Sequence, residues 1–378
     1  MRSFSVAILL LQPIATKAQT PSLSATVVGQ LEAAVEKEIS KQELCGVAIG
    51  VVKDGAVVYA RGFGLCDCDA KTKVNVDTVF NWASNSKPVA AVIALQLVAQ
   101  GKLDLDADLR KYVPEFPAKA KTITTRQVLC HSSGLPHYAN GKVVRSAKWP
   151  IKGDAADPLV SLQRFADSPL LFEPGEKTSY SSYAFVLLSA VIQRAGNEPF
   201  QDQVRRRIVE PLGLKSFQWD EIYAGQPNWA TGYVRDKASK KISPAREEAH
   251  AWKQGAGGFK SNINDFARWA AALTNTTLLN EESKRQMWTL QKTNDGKTSH
   301  YGLGFLVNPR GELTVSHGGS QSETRTFMIV QPNAGRAIVV MCNCSYADPS
   351  ALVRVVRSAV WGEPSPTSGK TKSMTASL

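Results

Sequence analysis

The chain has no Cys-x-x-Cys pair among its six cysteines, which removes the usual spacing of zinc ribbons and thioredoxin-type redox sites. It has no His-Glu-x-x-His, so a zincin is excluded. No serine has glycine at both flanking second positions, which excludes the nucleophile elbow of α/β-hydrolases. Gly369-Lys370-Thr371 has Pro364 where a P-loop needs its first glycine. There is no internal repeat, and no apolar run approaches the roughly 20 residues of a membrane-spanning helix. Acidic residues are the minority, 33 against 45 Lys and Arg, for a formal net charge of +12. A basic chain is drawn to anionic polymers. Here, however, the basic residues are scattered, with no dense run interleaved with aromatics, so nucleic acid is not an expected partner.

What is present suits a folded enzyme. The 378 residues are 43% apolar, enough for a large core. Arg2, the apolar run Val6–Leu11 and the small-residue site Thr16-Lys17-Ala18 predict a cleaved export signal over residues 1–18. The run is short and followed by Pro13, so stable membrane insertion is not expected and the mature protein should be periplasmic or extracellular. Residues 362–378, rich in Ser, Thr, Pro, Gly and Lys, predict a disordered tail.

Hydrophobic spacing predicts a helix over 24–41 and a hairpin from Gly46–Val52 and Ala56–Ala60 around Lys53-Asp54-Gly55. Helices follow over 84–101, 182–195 and 263–273, the last with Asp265 in its first turn. Near the end the β pattern returns in Tyr301–Val307 and Glu312–Ser316, and in a second hairpin, Thr326–Gln331 with Arg336–Met341. A helix over 347–361 closes the domain. The fold class is therefore α+β: an antiparallel sheet flanked by helices and built from both chain ends. Its α/β part covers about 24–80 and 255–361, with a mostly helical insertion over about 81–254.

Ser84-Asn85-Ser86-Lys87 carries the chemistry. Ser84 is the only serine with lysine three residues later, and at a helix start such a pair shares one face. The helix N-terminus adds positive potential and free N–H groups, which suit a developing oxyanion. A serine hydroxyl needs a base. Lysine ordinarily titrates near 10.4, so base work at neutral pH requires its pKa to fall by about 3, roughly 4 kcal/mol. Burial against Val89, Val92 and Ile93 could supply much of this.

Six ordered segments resemble the serine β-lactamase superfamily, which includes class C β-lactamases, DD-peptidases, D-aminopeptidases and family VIII carboxylesterases. They are Phe80–Pro88 around Ser84, Leu129-Cys130-His131-Ser132-Ser133-Gly134-Leu135-Pro136, and Phe172-Glu173-Pro174-Gly175 followed by Tyr180-Ser181-Ser182. Ala256–Ser261, Tyr301–Phe305 and His317-Gly318-Gly319 complete the set. The resemblance implies the β-lactamase/transpeptidase fold and an acyl-enzyme on Ser84, with Lys87 and Tyr180 sharing the base role. His317 stands where many relatives carry lysine. The backbone N–H groups of Ser84 and of Ser320, on the edge strand, would form the oxyanion hole, and Gly318 and Gly319 would let substrate approach. Ser182 replaces an asparagine that binds a substrate amide, which weakens the case for β-lactams and peptides relative to esters. No cofactor and no metal are implied.

The expectation is a serine acyl-hydrolase of small esters or short D-amino-acid peptides with weak β-lactamase activity. The alternatives are a β-lactamase or DD-carboxypeptidase proper, or a β-lactam sensor that stays acylated. His131 is expected to shape the Ser132-Ser133-Gly134 turn, while Trp82, Tyr138 and Trp252 belong either to the core or to the pocket wall. If the two hairpins are neighbours in one sheet, Cys45, Cys66, Cys68, Cys342 and Cys344 converge at one end. That would suit a disulfide of open connectivity or a thiolate metal site. Cys130 is expected to be a free, buried thiol.

Overall fold

The computed structural model describes residues 22–220, 228–246 and 248–362, so the expected export signal and nearly all of the expected tail lie outside the described residues. A helix, α1 (Ala25–Gln42), leads into β1 (Gly46–Lys53), and β2 (Ala56–Asp67) returns through a turn in which Asp54 and Gly55 both have positive φ, 51° and 73°. Positive φ at both central positions is the geometry that an Asp-Gly hairpin supplies at least cost. β3 (Thr72–Lys73) pairs with the end of β2.

The opposite end of the chain supplies β9 (Leu306–Asn308), β10 (Thr314–Ser320), β11 (Arg325–Gln331) and β12 (Arg336–Cys342). These join the first group in one seven-stranded sheet of order β3-β2-β1-β12-β11-β10-β9. The two termini meet in antiparallel register at β1 and β12, with Val47 opposite Cys342 and Val52 opposite Ala337. The sheet from both chain ends is thus as expected.

Its two faces carry separate apolar clusters. One, around Leu31, Val35, Val47, Ile49, Leu352 and Val356, packs α1 and the terminal helix Pro349–Trp361 against the sheet. The other holds the helices of the middle region. There α2 (Ser86–Ala99) is apolar on nearly every side, as a helix must be to lie inside a core. It packs against α3 (Ser182–Gly196), while α4 (Ile263–Ala272) lies on β1 and β12. No helix among the described residues is long and apolar enough to cross a membrane.

The insertion is less helical than its composition suggests. Between α2 and α3 the chain runs mainly through turns and short helical pieces. After α3 it forms β5 (Gln218–Trp219), β6 (Tyr233–Arg235) and β7 (Ile242–Pro244). β5 joins β4 (Phe80–Asn81) and β8 (Phe259–Ser261) in a small sheet of order β4-β8-β5, and β6 pairs with β7. The expected strand Tyr301–Val307 is also reduced, because Gly302–Phe305 turns sharply, with Gly304 at φ 81° packed against Ala91 of α2.

Candidate active site

β4 delivers the chain into the turn Trp82–Asn85, and Ser84 leads into α2. Ala83 holds a φ of 48°, a left-handed conformation that costs a non-glycine residue about 1 kcal/mol. The Oδ1 of Asn81 accepts the Ala83 N–H at 2.7 Å and fixes this bend. Nothing in the sequence marks Ala83 as strained; Asn81, two residues before it, was the legible half of the device.

Ser84, Lys87 and Ser182, remote or adjacent in sequence, meet at one point. Lys87 Nζ lies 3.0 Å from Ser84 Oγ, 3.0 Å from Ser182 Oγ and 2.6 Å from the carbonyl oxygen of Ala256. The lysine is wholly buried. Burial holds its pKa well below the ordinary lysine range, and the positive charge of Lys253 lowers it further.

Tyr180 is brought to the same place, with its ring centroid 4.8 Å from Lys87 Nζ. Its buried hydroxyl makes no full hydrogen bond, although Ser84 and Ser182 are its polar neighbours. Burial pushes the phenol well above its usual value, so the group is a neutral O–H here. His317, on β10, has its ring 6.4 Å from Tyr180, and its Nδ1 lies 2.8 Å from the Gly318 carbonyl. Burial, aided by Lys87, lowers its pKa to about 3. The imidazole is therefore neutral and supplies no cation to a phenolate.

His131 takes the expected turn-shaping place. It has a φ of 59°, its Nδ1 accepts the Ser181 N–H at 3.2 Å, and its ring stacks 4.4 Å from Tyr180. Sequence reading missed His137, whose Nδ1 accepts the N–H of Ser182 at 3.2 Å. Burial, then Lys87 and Lys253, lower its pKa to about 4, so it too stays a neutral acceptor. The adjacency to the Ser132–Pro136 segment was the available signal.

The pocket in front of Ser84 encloses about 190 Å³ and is lined by Tyr138, Ser182, Lys253, Ser320 and Gln321, among others. Tyr138 is thus a wall residue. Trp252 backs it at 6.1 Å, and Trp82 is core, with its indole N–H donating to Ser261 Oγ at 2.8 Å.

The edge-strand expectation for Ser320 needs one qualification. β9 covers the outer side of β10, but only from Thr314 to Ser316, so the His317–Ser320 half is open. Gln321 and Thr324 exchange backbone hydrogen bonds, and Ser320 opposes Arg325 one step further along. Antiparallel pairs alternate, so Ser320 falls in a non-hydrogen-bonded pair and its N–H points away from β11. Gly319 corrects a second expectation. A Cβ there would strike Trp82's carbonyl and Thr326 Oγ1 and come within 3.2 Å of Ala83. The glycine lets the protein's own nucleophile turn approach the strand and is not an opening for substrate.

Behind the turn lies a charged network. Asn81 Nδ2 donates to Asp220 Oδ2 and, at 3.1 Å, to Glu323 Oε1. Lys260 pairs with Asp220 at 2.8 Å and His250 with Glu323 at 3.1 Å. Asp220, His250 and Glu323 bring ligand-type atoms within 4.8 Å of one another. The Lys260 ammonium offsets the Asp220 carboxylate there, and the Asn81 amide donates to both Asp220 and Glu323.

The cysteines converge as expected, though as thiols. Cys45 follows Val47 outward in register opposite Cys344, and its N–H donates to Cys344 Sγ at 3.2 Å. All six cysteines are free, and Cys130 is buried. The expected disulfide is not formed; Cys344 Sγ is engaged by the Cys45 N–H and by Asn343.

A sheet made from both chain ends, with a Ser-x-x-Lys turn set against the open half of β10, defines the β-lactamase/transpeptidase class of fold. The chain belongs to the beta-lactamase family, whose model matches residues 31–360. It is 27% identical over 379 residues to Esterase EstB of Burkholderia gladioli, covering 89% of this chain and 96% of that protein. It is 24% identical over 323 residues to Protein flp of Staphylococcus aureus, covering 83% of this chain but only 62% of that relative's length. Among solved structures, the octameric penicillin-binding protein homologue from Pyrococcus abyssi superposes with a TM-score of 0.73 at 23% identity, covering 89% of this chain and 78% of that one.

Proposed function

We propose that the protein is a serine acyl-hydrolase acting through a Ser84 acyl-enzyme on small esters, with short D-amino-acid peptides as poorer substrates. The observation that carries this is the 3.0 Å contact between Ser84 Oγ and a wholly buried Lys87 whose other partners are a hydroxyl and a carbonyl. Burial lowers the pKa of a lysine so placed, which favours the neutral amine that a general base needs. Its Nζ takes the Ser84 proton as Oγ attacks the substrate carbonyl, and the resulting oxyanion is held by the N–H groups of Ser84 and Ser320. When the tetrahedral intermediate collapses, the C–O bond to the alcohol breaks and the alcohol leaves with the proton from Lys87. Tyr180, as a neutral O–H, relays that proton instead of acting as phenolate. Water then attacks the acyl-enzyme, giving its proton to Lys87; the bond from Ser84 Oγ to the acyl carbon breaks, Lys87 returns the proton to Oγ, and the acid leaves. The relation to an esterase over 89% of the chain supports the ester preference, as does Ser182, whose hydroxyl accepts from Lys87 and offers one donor where a carboxamide would offer two.

Ser84→Ala is expected to abolish both p-nitrophenyl ester turnover and fluorophosphonate labelling. Persistence of either would refute the assignment. Stoichiometric adduct without turnover in the unmutated protein would instead identify a sensor.

A further inference from the structure

The pocket contains a second ammonium for which the acyl-transfer chemistry has no use. Lys253 lines the cavity with Ser84, Ser182 and Gln321. It has no hydrogen bond or ion pair within 4.0 Å among the described residues. Its neighbours are the faces of Tyr138 and Trp252, 5.6 and 5.8 Å from Nζ. Burial lowers its pKa, and Glu323, Asp220 and Glu248 raise it only from longer range. None of the residues lining the cavity is acidic. A partly buried lysine with no counter-ion leaves its amine free to pair with a group that enters the pocket.

The backbone carrying Lys253 is held by several hydrogen bonds. Its N–H donates to the His250 carbonyl at 2.8 Å. Just beyond it, Gln254 adopts φ 48° and donates through its side chain to the Ala156 carbonyl. The Gly255 N–H reaches Ser189 Oγ at 3.2 Å, and Gln321 Nε2 donates to the Gly257 carbonyl at 2.8 Å. A Cβ at Gly257 would lie 3.6 Å from Lys253 Cδ, so the lysine stem runs along the backbone beside the Ala256 carbonyl that binds Lys87. The backbone is therefore tied down at the point from which the lysine enters the pocket that Ser84 also lines. The strand motif offers no competing cation, since His317 is neutral.

We infer that Lys253 is a carboxylate anchor, and that the preferred substrates are small esters bearing a free carboxylate beside the scissile bond. This rests on the acyl-hydrolase reading and names its substrate class. The ammonium pairs with the carboxylate while the Ser84 hydroxyl meets the ester carbonyl, so a charged hydrogen bond orients the reacting group.

Two matched pairs of esters test this and show which side of the bond carries the carboxylate. Mono-p-nitrophenyl adipate against p-nitrophenyl methyl adipate places it on the acyl side. 3-Acetoxybenzoate against methyl 3-acetoxybenzoate places it on the leaving group. The expected result is that kcat/KM favours the carboxylate member of one pair by about tenfold or more, the effect of one charge-assisted hydrogen bond. That ratio should collapse toward unity in Lys253→Met, be largely retained in Lys253→Arg and shrink as salt is added. A ratio near one in both pairs, or a preference that survives Lys253→Met, would overturn the inference while leaving the acyl-enzyme intact. A parallel titration by calorimetry uses Ser84→Ala and Ser84→Ala/Lys253→Met with the same compounds and does not depend on turnover. Equal affinity for the charged and neutral members in Ser84→Ala would sink the anchor, whereas turnover by Ser84→Ala would sink the acyl-hydrolase reading itself.

Discussion

The two sides of the Trp82–Asn85 turn each hold a lysine largely out of solvent, and they treat it in opposite ways. Behind the turn, Lys260 sits 2.8 Å from Asp220, within a network that also joins Asn81, His250 and Glu323. In front of it, Lys87 has two hydroxyls and a carbonyl for partners. Burial penalises the charged form of Lys87 with no carboxylate to return the cost, whereas behind the turn Lys260 has one in Asp220. Asp220 shows the balance from the other partner: burial pushes its carboxyl up, while Lys260 and His250 pull it back. The paired lysine is held as a charge, and the unpaired Lys87 is the one whose pKa burial is left to lower.

The largest expected effect comes from removing the unpaired member. Lys87→Met should lower ester kcat/KM by about 10² to 10⁴, the usual contribution of a general base. The folded protein should otherwise survive, because a buried amine without a counter-ion is replaced by an apolar chain of similar length. A loss below tenfold, measured with p-nitrophenyl acetate, would remove Lys87 from the base role.

Breaking the paired side should be felt in stability first. Asp220→Ala leaves Lys260 buried without a carboxylate, and such a loss costs about 3–5 kcal/mol. Thermal melting should show it as a lowered Tm, while fluorophosphonate labelling of the folded protein at 25 °C should fall far less than in Lys87→Met. An unchanged Tm with Lys87-like loss of labelling would mean that the two sides do not differ as argued.

The comparison can also be inverted. Ser182→Asp would give Lys87 a carboxylate at the position now held by a hydroxyl 3.0 Å away. An opposite charge so near favours the protonated lysine, so its pKa rises and a smaller fraction is basic at neutral pH. The acidic limb of the kcat/KM profile, along which activity rises as Lys87 loses its proton, should move to higher pH by about one to two units, with about a ten- to hundredfold loss at pH values on the parent's acidic limb. A limb that stays in place, in protein that remains folded, would show that the limb does not belong to Lys87.

Much of this was legible before any coordinates. The hairpins around Asp54-Gly55 and Pro332–Gly335, and the helices at 25–42 and 182–196, follow from local patterns that tertiary packing had no reason to override. Ser84 and Lys87 were legible because three residues at a helix start fix their geometry. Charge pairing was not. Lys87 and Lys260 look alike in sequence, and only the fold brings Asp220 to one and withholds a carboxylate from the other. The same holds for Gly319, which reads as an opening for ligand and proves to be a contact surface for Ala83. The short strands of the insertion escaped notice because two- and three-residue pieces carry no period.

His317 gives the smallest and slowest test, through stability and not rate. Its native pKa is about 3, below the ordinary 6.5, because burial disfavours the imidazolium. Between those values the unfolded chain binds a proton that the native protein refuses, so stability must fall as the pH drops from above 6.5 toward 3. At pH 5 this one group costs about 2 kcal/mol relative to pH 8. His317→Gln removes the titration while keeping a neutral polar side chain. Urea unfolding at pH 8 and pH 5 should therefore show a smaller acid-induced loss in the variant than in the parent. An identical loss in both would place the acid sensitivity elsewhere, with His131 and His137 as the next candidates, since burial lowers both of their pKa values as well.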